Sequence, residues 1–405
     1  MEAVTHHESR PGDYKSAWVA GFFGWTLDAF DFFLVSYCLT AIGKEFHRSD
    51  AEIALSLTLT LAFRPLGAFL FGLMADRYGR KLPLMIDLCF YAVVEVATGF
   101  SRTYSTFLIL RMLFGIGMGG VWGVGASLAM EQAPARLRGI LSGLLQQGYA
   151  LGNILAALAY LLLADRFGWR PLFFLGGAPA LLAFFVQVRV KESEVWKRSK
   201  PLDWHALARI VLAHWKLFVY LTFFMTTMNL ASHGTQDMFP AFLERYWHLP
   251  TFTRSLISML SMVGAIAGGV ATGFYSDRRG RRRALITALL LAILAVPLWA
   301  YAPRLGLLTL GAFMIQFFVQ GAWGVIPAHL NELSPNAIRG FLPGFAYQCG
   351  VLLSSGVTTF EAKLAEHISY ASAMAATATV VFLLAALAAA VGRERRGIDF
   401  KQAEL

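Results

Sequence analysis

The sequence predicts an all-α polytopic membrane protein, twelve transmembrane helices arranged as two six-helix bundles. Three observations carry that prediction: recurrent apolar runs, sparse and one-sided charge, and an internal duplication. Of 405 residues, 57% are hydrophobic and 15% charged, where a soluble domain carries about 25% charged residues. Mean hydropathy is +0.56.

Apolar runs of about 18 residues or more, each long enough to cross a bilayer, recur along the whole chain. They fall at 17–42, 52–75, 82–101, 105–130, 140–164, 170–190, 215–242, 255–276, 284–302, 306–330, 341–360 and 370–391. Residues 1–15 are polar, with no short apolar core and small-residue cleavage site, so the first span is expected to remain in the mature protein. Lys and Arg concentrate in the segments on the side of the N-terminus. That bias is expected to place both termini in the cytoplasm, and the short termini lean toward a bacterial inner (plasma) membrane. The net charge of +10 is therefore topogenic and does not imply nucleic acid. Cys38, Cys89 and Cys349 lie inside spans and form no disulfide framework.

An offset of 201 residues superposes Gly72, Asp76, Arg77, Gly79, Arg80 and Lys81 on Gly273, Asp277, Arg278, Gly280, Arg281 and Arg282 without a gap. It also carries Trp122-Gly-Val onto Trp323-Gly-Val, and Glu131, Pro134, Arg138 and Gly139 onto Glu332, Pro335, Arg339 and Gly340. Gln147 lands on Gln348. The chain thus reads as an N-terminal bundle (1–190), a polar cytoplasmic linker (191–213) and a C-terminal bundle (214–405). Parallel repeats of this kind bind substrate between them, near the bilayer midplane.

The motifs also carry a resemblance. Gly72-Leu-Met-Ala-Asp-Arg-Tyr-Gly-Arg-Lys81, its copy Gly273-Phe-Tyr-Ser-Asp-Arg-Arg-Gly-Arg-Arg282, and Arg111 followed by Gly115, Gly117 and Gly119 resemble the signatures of major facilitator transporters. Asn229-x-x-Ser232-His233-x-Thr235-Gln236-Asp237 resembles the seventh-span signature of the Jen-type lactate permeases, which group with the sialate:proton symporters. That signature usually continues to Thr, where Met238 stands here. The sialate branch is similar to a form with extra spans in the middle, which 191–213 is too short and polar to supply. The resemblance implies the major facilitator fold, substrate contacts from Asn229 and Arg64, and coupling through His233 and Asp237.

The residues support this reading independently. Asn229, Ser232, His233, Gln236 and Asp237 fall on one helical stripe roughly 140° wide. Lipid cannot face such a stripe, so the segment is expected to line a polar cavity. His233 and Asp237, one turn apart, can hydrogen-bond, and histidine changes charge near physiological pH. Gln236 can reach substrate oxygens or a neighbouring helix.

The duplication separates scaffold from site. Asp28, Asp31, Arg64, Asp87, Glu95 and Arg111 correspond to Asn229, Ser232, Ala265, Ala288, Val296 and Ala312. Ionisable groups present in one copy only are candidates for function. Asp28 and Asp31 share a face and repel at low dielectric, which suits a proton carrier; the other reading makes one of them a fixed partner of Arg64 or Arg111. Arg64 presents a planar fork to a carboxylate substrate, or else bridges a span-1 acid. Arg111 is read as structural or gating, balancing Glu95, Asp87 or the span-1 acids. Gln147 and Gln348 are candidates to line the cavity.

The duplicated charges Asp76, Arg77, Arg80, Glu131 and Arg138, with Asp277, Arg278, Arg281, Glu332 and Arg339, sit at the cytoplasmic ends of spans. They are read as latches of an outward-open state that break as the halves rock. Gly115-Ile-Gly-Met-Gly-Gly120 fits a dinucleotide fingerprint only by spelling, because no strand precedes it.

No catalytic triad, metal-ligand cluster or cofactor motif is expected, nor an enzyme. The sequence is read as a monomeric proton-coupled symporter of a small monocarboxylate, L-lactate or pyruvate, working by alternating access. The alternatives are a larger organic acid such as sialate or an aromatic acid, a sugar or drug carrier, and a non-transporting nutrient sensor. Residues 393–405 are short for a sensor's signalling tail.

Overall fold

The computed structural model describes residues 13–198 and 203–400, so residues 199–202 of the expected linker lie outside the described residues. The first half of the chain forms α1 (Asp13–Phe46), α2 (Asp50–Tyr78), α3 (Lys81–Gly99), α4 (Tyr104–Gln132), α5 (Arg138–Gln146), α6 (Gly148–Phe167), α7 (Arg170–Leu175) and α8 (Pro179–Arg189). The linker contributes α9 (Glu194–Arg198) and α10 (Trp204–Ala213). The second half forms α11 (Trp215–Gln236), α12 (Phe239–Arg245), α13 (Thr251–Arg279), α14 (Arg281–Ala300), α15 (Leu305–Leu333), α16 (Leu342–Ser354), α17 (Val357–His367) and α18 (Tyr370–Val391).

Local chemistry sets the helix starts. Ser49 closes a capping box with Glu52 before α2, and the side chains of Thr103, Asp203 and Ser369 cap α4, α10 and α18. Each accepts from a backbone N–H that would otherwise be orphaned.

Ten helices among the described residues are long and apolar enough to cross a membrane. An eleventh span, Trp204–Ala213 with Trp215–Arg245, passes that test only as a pair bent by 65°. The continuous span expected at 341–360 is not formed. It is two helices, α16 and α17, parted at Ser355 and Gly356. Ser354, Ser355 and Gly356 are poor helix formers, and Glu361, Lys363 and Glu366 make the second piece less apolar than a lipid-facing run.

The duplication recurs in three dimensions. The bounds of α2 and α13, and of α4 and α15, differ by the sequence offset of 201. His47 and His248, also 201 apart, share φ 52°. α2 packs on α4 as α13 packs on α15, and α3 packs on α8 as α14 packs on α18.

The halves meet at one end, where the described chain both begins and finishes. Asp76 accepts the backbone N–H of Gly340 (2.7 Å) and Phe341 (3.0 Å) from the other half. Its copy Asp277 accepts those of Gly139 (2.8 Å) and Ile140 (2.9 Å). Within each half Arg80 clamps Asp76 and Glu131, and Arg281 clamps Asp277 and Glu332. Arg138 crosses to Glu332 at 3.0 Å, Arg339 approaches Glu131 at 3.8 Å, and Ser127 donates to the Arg339 carbonyl at 2.8 Å. Arg77 and Arg278 lie over the rings of Tyr78 and Phe274. Gly79 (φ 97°) and Gly280 (φ 104°) make the turns that place each clamp, a conformation strained for residues with a Cβ.

Backbone contact completes the closure. A Cβ at Gly123 of α4 would stand 2.7 Å from the Cα of Gly344 in α16. Gly123→Leu is therefore expected to prop this end open. Spin labels at Arg136→Cys and Arg279→Cys, in a background lacking Cys38, Cys89 and Cys349, should report a wider separation; an unchanged distance contradicts the closure described here.

Candidate functional site

Away from the latch, the α11 stripe does not face one way. Asn229 is buried and donates to the Met225 carbonyl at 2.8 Å. Gln236 donates to Gln316 at 2.9 Å, and Gln320 donates to Ser232 at 3.3 Å, so the middle of the stripe packs on α15. Thr235 turns back to the Ala231 carbonyl. His233 Nδ1 lies 3.2 Å from Asp237 Oδ2, with side chains 42% and 36% exposed. This ionisable pair is thus partly open, in contrast to the buried Asn229.

Arg64 occupies the centre of α2 and is 4% exposed. Its guanidinium lies 5.6 Å from the Tyr347 ring, and neither Nε nor Nη2 has a hydrogen-bond partner among the described residues. No carboxylate stands within ion-pair distance of it there, so the structural salt bridge to a span-1 acid is not formed. Aromatic rings from both halves enclose this region. Tyr347 packs against Trp122 (4.6 Å) and Trp323 (5.7 Å), while Tyr149 stacks on Trp25 (5.4 Å) and meets Phe33 (5.1 Å). Tyr149 lies within electrostatic reach of Tyr347, Arg64, Asp237 and Asp28. Gln348 is fully buried with both amide atoms unpartnered, and the indole N–H groups of Trp25 and Trp323 are likewise unspent. Gln147 donates to the Gly143 carbonyl at 3.2 Å and lies against Gly269 of α13, at the seam between the halves.

The acids of the first half divide into two kinds. Glu95 takes Arg111 through two bonds of 2.9 and 2.8 Å, and Arg111 also donates to Thr98 at 2.8 Å. That bidentate pair consumes Arg111 as internal bracing. Asp28, Asp31 and Asp87 are fully buried, and none of their six carboxylate oxygens accepts a hydrogen bond. An ionised carboxylate buried in this way costs several kcal/mol. Asp28 lies within electrostatic reach of Arg64 and Glu95, and Asp31 within reach of Glu95, Arg111 and Asp28.

Sequence reasoning missed Gln316, Gln320, Tyr149, Tyr347 and Glu361. The duplication held a signal for four of them. Gln316, Gln320 and Tyr149 correspond to Gly115, Gly119 and Gly350, and Glu361 to Tyr160, so three bring a polar side chain where the copy has glycine and the fourth a carboxyl where the copy has a phenol.

Known proteins resemble the chain over most of its length. The family model of the Major Facilitator Superfamily matches residues 21–246, more than half of the sequence. The chain belongs to the Major Facilitator Superfamily. A second model, "Sugar (and other) transporter", matches residues 210–392. The chain is 31% identical to a probable 4-methylmuconolactone transporter of Cupriavidus pinatubonensis, over 96% of its own length and 92% of that protein. It is 29% identical to a carboxylic acid transporter protein homolog of Saccharomyces cerevisiae, over 93% of its own length and 67% of the relative. The solved structure of the proton:xylose symporter XylE, at 20% identity, matches with TM-score 0.79 over 96% of this chain and 98% of that one, which shows the fold.

Arg64 and Arg111, both buried, should therefore answer differently to mutation. Arg111→Ala strands Glu95 and is expected to cost about 3–5 kcal/mol of stability. Arg64→Gln breaks no ion pair and is expected to cost about 1 kcal/mol, the scale of its contact with Tyr347. Thermal unfolding of the purified variants in detergent checks the order, and equal losses contradict it.

Proposed function

We propose that this chain is a proton-coupled symporter of an organic acid, most simply a small monocarboxylate such as L-lactate or pyruvate. The observation that carries the reading is Arg64, a buried guanidinium with unspent donors, set against the ring of Tyr347 from the other half. Its fork can take a carboxylate through two charge-assisted hydrogen bonds. Gln348 can donate beside it, and Asn229 and Gln236 can approach the anion from α11, with Gln147 lining the seam.

The proton has two stations in this scheme. His233 and Asp237 exchange with water and gain positive charge on protonation, which favours entry of an anion. Asp28 and Asp31 lie deeper and accept no donor, so a proton there removes a large desolvation cost. With substrate on Arg64 and a proton on a carboxyl, the loaded carrier holds little net charge and can reorient.

The two six-helix halves, 1–190 and 214–405 joined by 191–213, rock about the site. With both termini in the cytoplasm of a bacterial cell, the latched end is the cytoplasmic one and the conformation is outward-facing. Asp76, Asp277, Arg138 and Arg339 must release their cross-half contacts before the protein opens inward. The carrier works as a monomer. The aromatic walls, the α11 signature shared with Jen-type permeases, and the carboxylic acid transporter homolog among its relatives support an acid as substrate. A larger acid is the second reading, favoured by the methylmuconolactone transporter among the relatives.

Uptake of labelled L-lactate into proteoliposomes tests this. An inward proton gradient should stimulate wild-type uptake by about 5–150-fold, the usual range of coupling between two ligands, and Asp237→Asn should lose the stimulation. Binding without accumulation would point to a sensor. If lactate neither binds nor moves, the small-monocarboxylate assignment falls.

A further inference from the structure

Glu361 takes no part in the scheme above, yet its placement is unusual. It is fully buried, and neither carboxylate oxygen has a hydrogen-bond partner. It lies on α17 one turn beyond Val357 and so shares its face. That face is turned to α11: the Val357 Cγ2 lies 3.8 Å from where a Cβ at Gly234 would stand, and Thr377 of α18 lies 3.5 Å from the same point. Gly234 follows His233 and precedes Asp237 by three residues, so Val357 and Glu361 pack along the part of α11 that carries the His233–Asp237 pair. The Asp237 charge acts on Glu361, and Glu361 in turn acts on Tyr370 of α18, which also feels Arg245 of α12. On α17 itself Lys363, Glu366 and His367 are exposed.

We propose that Glu361 is a further proton-carrying residue, which exchanges a proton with the His233–Asp237 pair. The O–H bond of the Glu361 carboxyl breaks and one forms on Asp237 or His233, leaving the Glu361 carboxylate to recover a proton when the cavity next opens. The break between α16 and α17 gives this group its own short helix, so it can shift relative to α11 as the halves move. This rests on the proposal that the carrier is proton-coupled.

Infrared spectroscopy of the substrate-free protein tests it and needs no knowledge of the substrate. The difference between wild type and Glu361→Gln should contain a carboxylic-acid C=O band that disappears between about pH 5 and 9. In Asp237→Asn, with Glu361 intact, the same band should disappear at lower pH, because a neighbouring negative charge has been removed. A band that never titrates, that ignores Asp237→Asn, or that is absent throughout overturns the proposal. Asp237→Asn keeps the test available if Glu361→Gln fails to fold, and lactate uptake that fails while the infrared result holds sinks only the substrate assignment.

A second inference comes from the segment after α18. Glu394 accepts the backbone N–H of Arg282 at 2.9 Å, and the Arg396 guanidinium donates to the Arg278 carbonyl. Arg138 donates to the Ile398 carbonyl at 3.1 Å, and Asn336 to that of Phe400 at 3.3 Å. The Phe400 ring, 2% exposed, lies 3.9 Å from the guanidinium carbons of both Arg138 and Arg339. Those two arginines are duplicates of each other, one from each half. The geometry points to Phe400 as a staple: its π face holds two like charges together across the seam, and the segment must lift before the latched end can part.

Spin-label distances between Arg136→Cys and Arg279→Cys read this directly. Phe400→Ala should widen the distribution, and Phe400→Tyr should restore it. A distribution that Phe400→Ala leaves unchanged, or that Phe400→Tyr widens equally, overturns the staple.

Discussion

A guanidinium held in the interior without a carboxylate beside it is the constraint on which the site depends. Arg64 stays charged at any physiological pH, and burying that charge is expensive unless something answers it. The ring of Tyr347 answers part through its π face, and distant acids such as Asp28 answer part through space. Two donors remain unspent. Arg111, another buried arginine of this half, spends its fork on Glu95 and Thr98. The same side chain thus pairs within the bundle in one place and, in the proposed scheme, offers a binding fork in another, and the difference is whether a carboxylate from the protein reaches it.

The scaffold around this site is one unit used twice. Its chief device is an arginine that gathers two acids of its own half, Arg80 with Asp76 and Glu131, and Arg281 with Asp277 and Glu332. The gathered aspartate then accepts two backbone N–H groups from the other half. These bonds are short and directional but few, so they hold the end shut while leaving it able to part. The glycine pair Gly123 and Gly344 lets the backbones touch there. The proposed functional groups stand where the copies differ, at Arg64 against Ala265 and at His233 and Asp237 against Phe32 and Ser36.

Much of this was legible in the sequence because hydropathy and duplication are properties of the chain itself. The bounds of α2 and α4 repeat in α13 and α15 at the sequence offset, and the charged groups that meet across the halves are among those that the offset superposed. The broken span at 355–356 was not legible, because an apolar run does not say whether a Ser-Ser-Gly step bends or continues. The intramembrane charges were visible as costs, but not their pairing. Glu95, Asp87 and the span-1 acids were all open as partners of Arg111, and only the geometry selects Glu95. Likewise a helical wheel puts Asn229, Gln236 and His233 on one stripe, while the structure divides them among a carbonyl, Gln316 and an open flank. Partners contributed by other helices, Tyr347 and Gln316 above all, are set by packing, which helical periodicity does not encode.

The claim that Arg64 anchors a carboxylate is tested most directly by ligand-induced thermal stabilisation of the purified protein. L-lactate, nicotinate and cis,cis-muconate would be compared with their amides, in wild type and in Arg64→Gln. A ligand bound only by the folded state raises the melting temperature by an amount that grows with the logarithm of its concentration over its Kd. At least one acid should stabilise wild type while its amide does not. Arg64→Gln should weaken that acid by about 1.5–3 kcal/mol, the worth of charge-assisted hydrogen bonds. An amide that stabilises as well as its acid, or an Arg64→Gln protein that responds like wild type, would contradict the account.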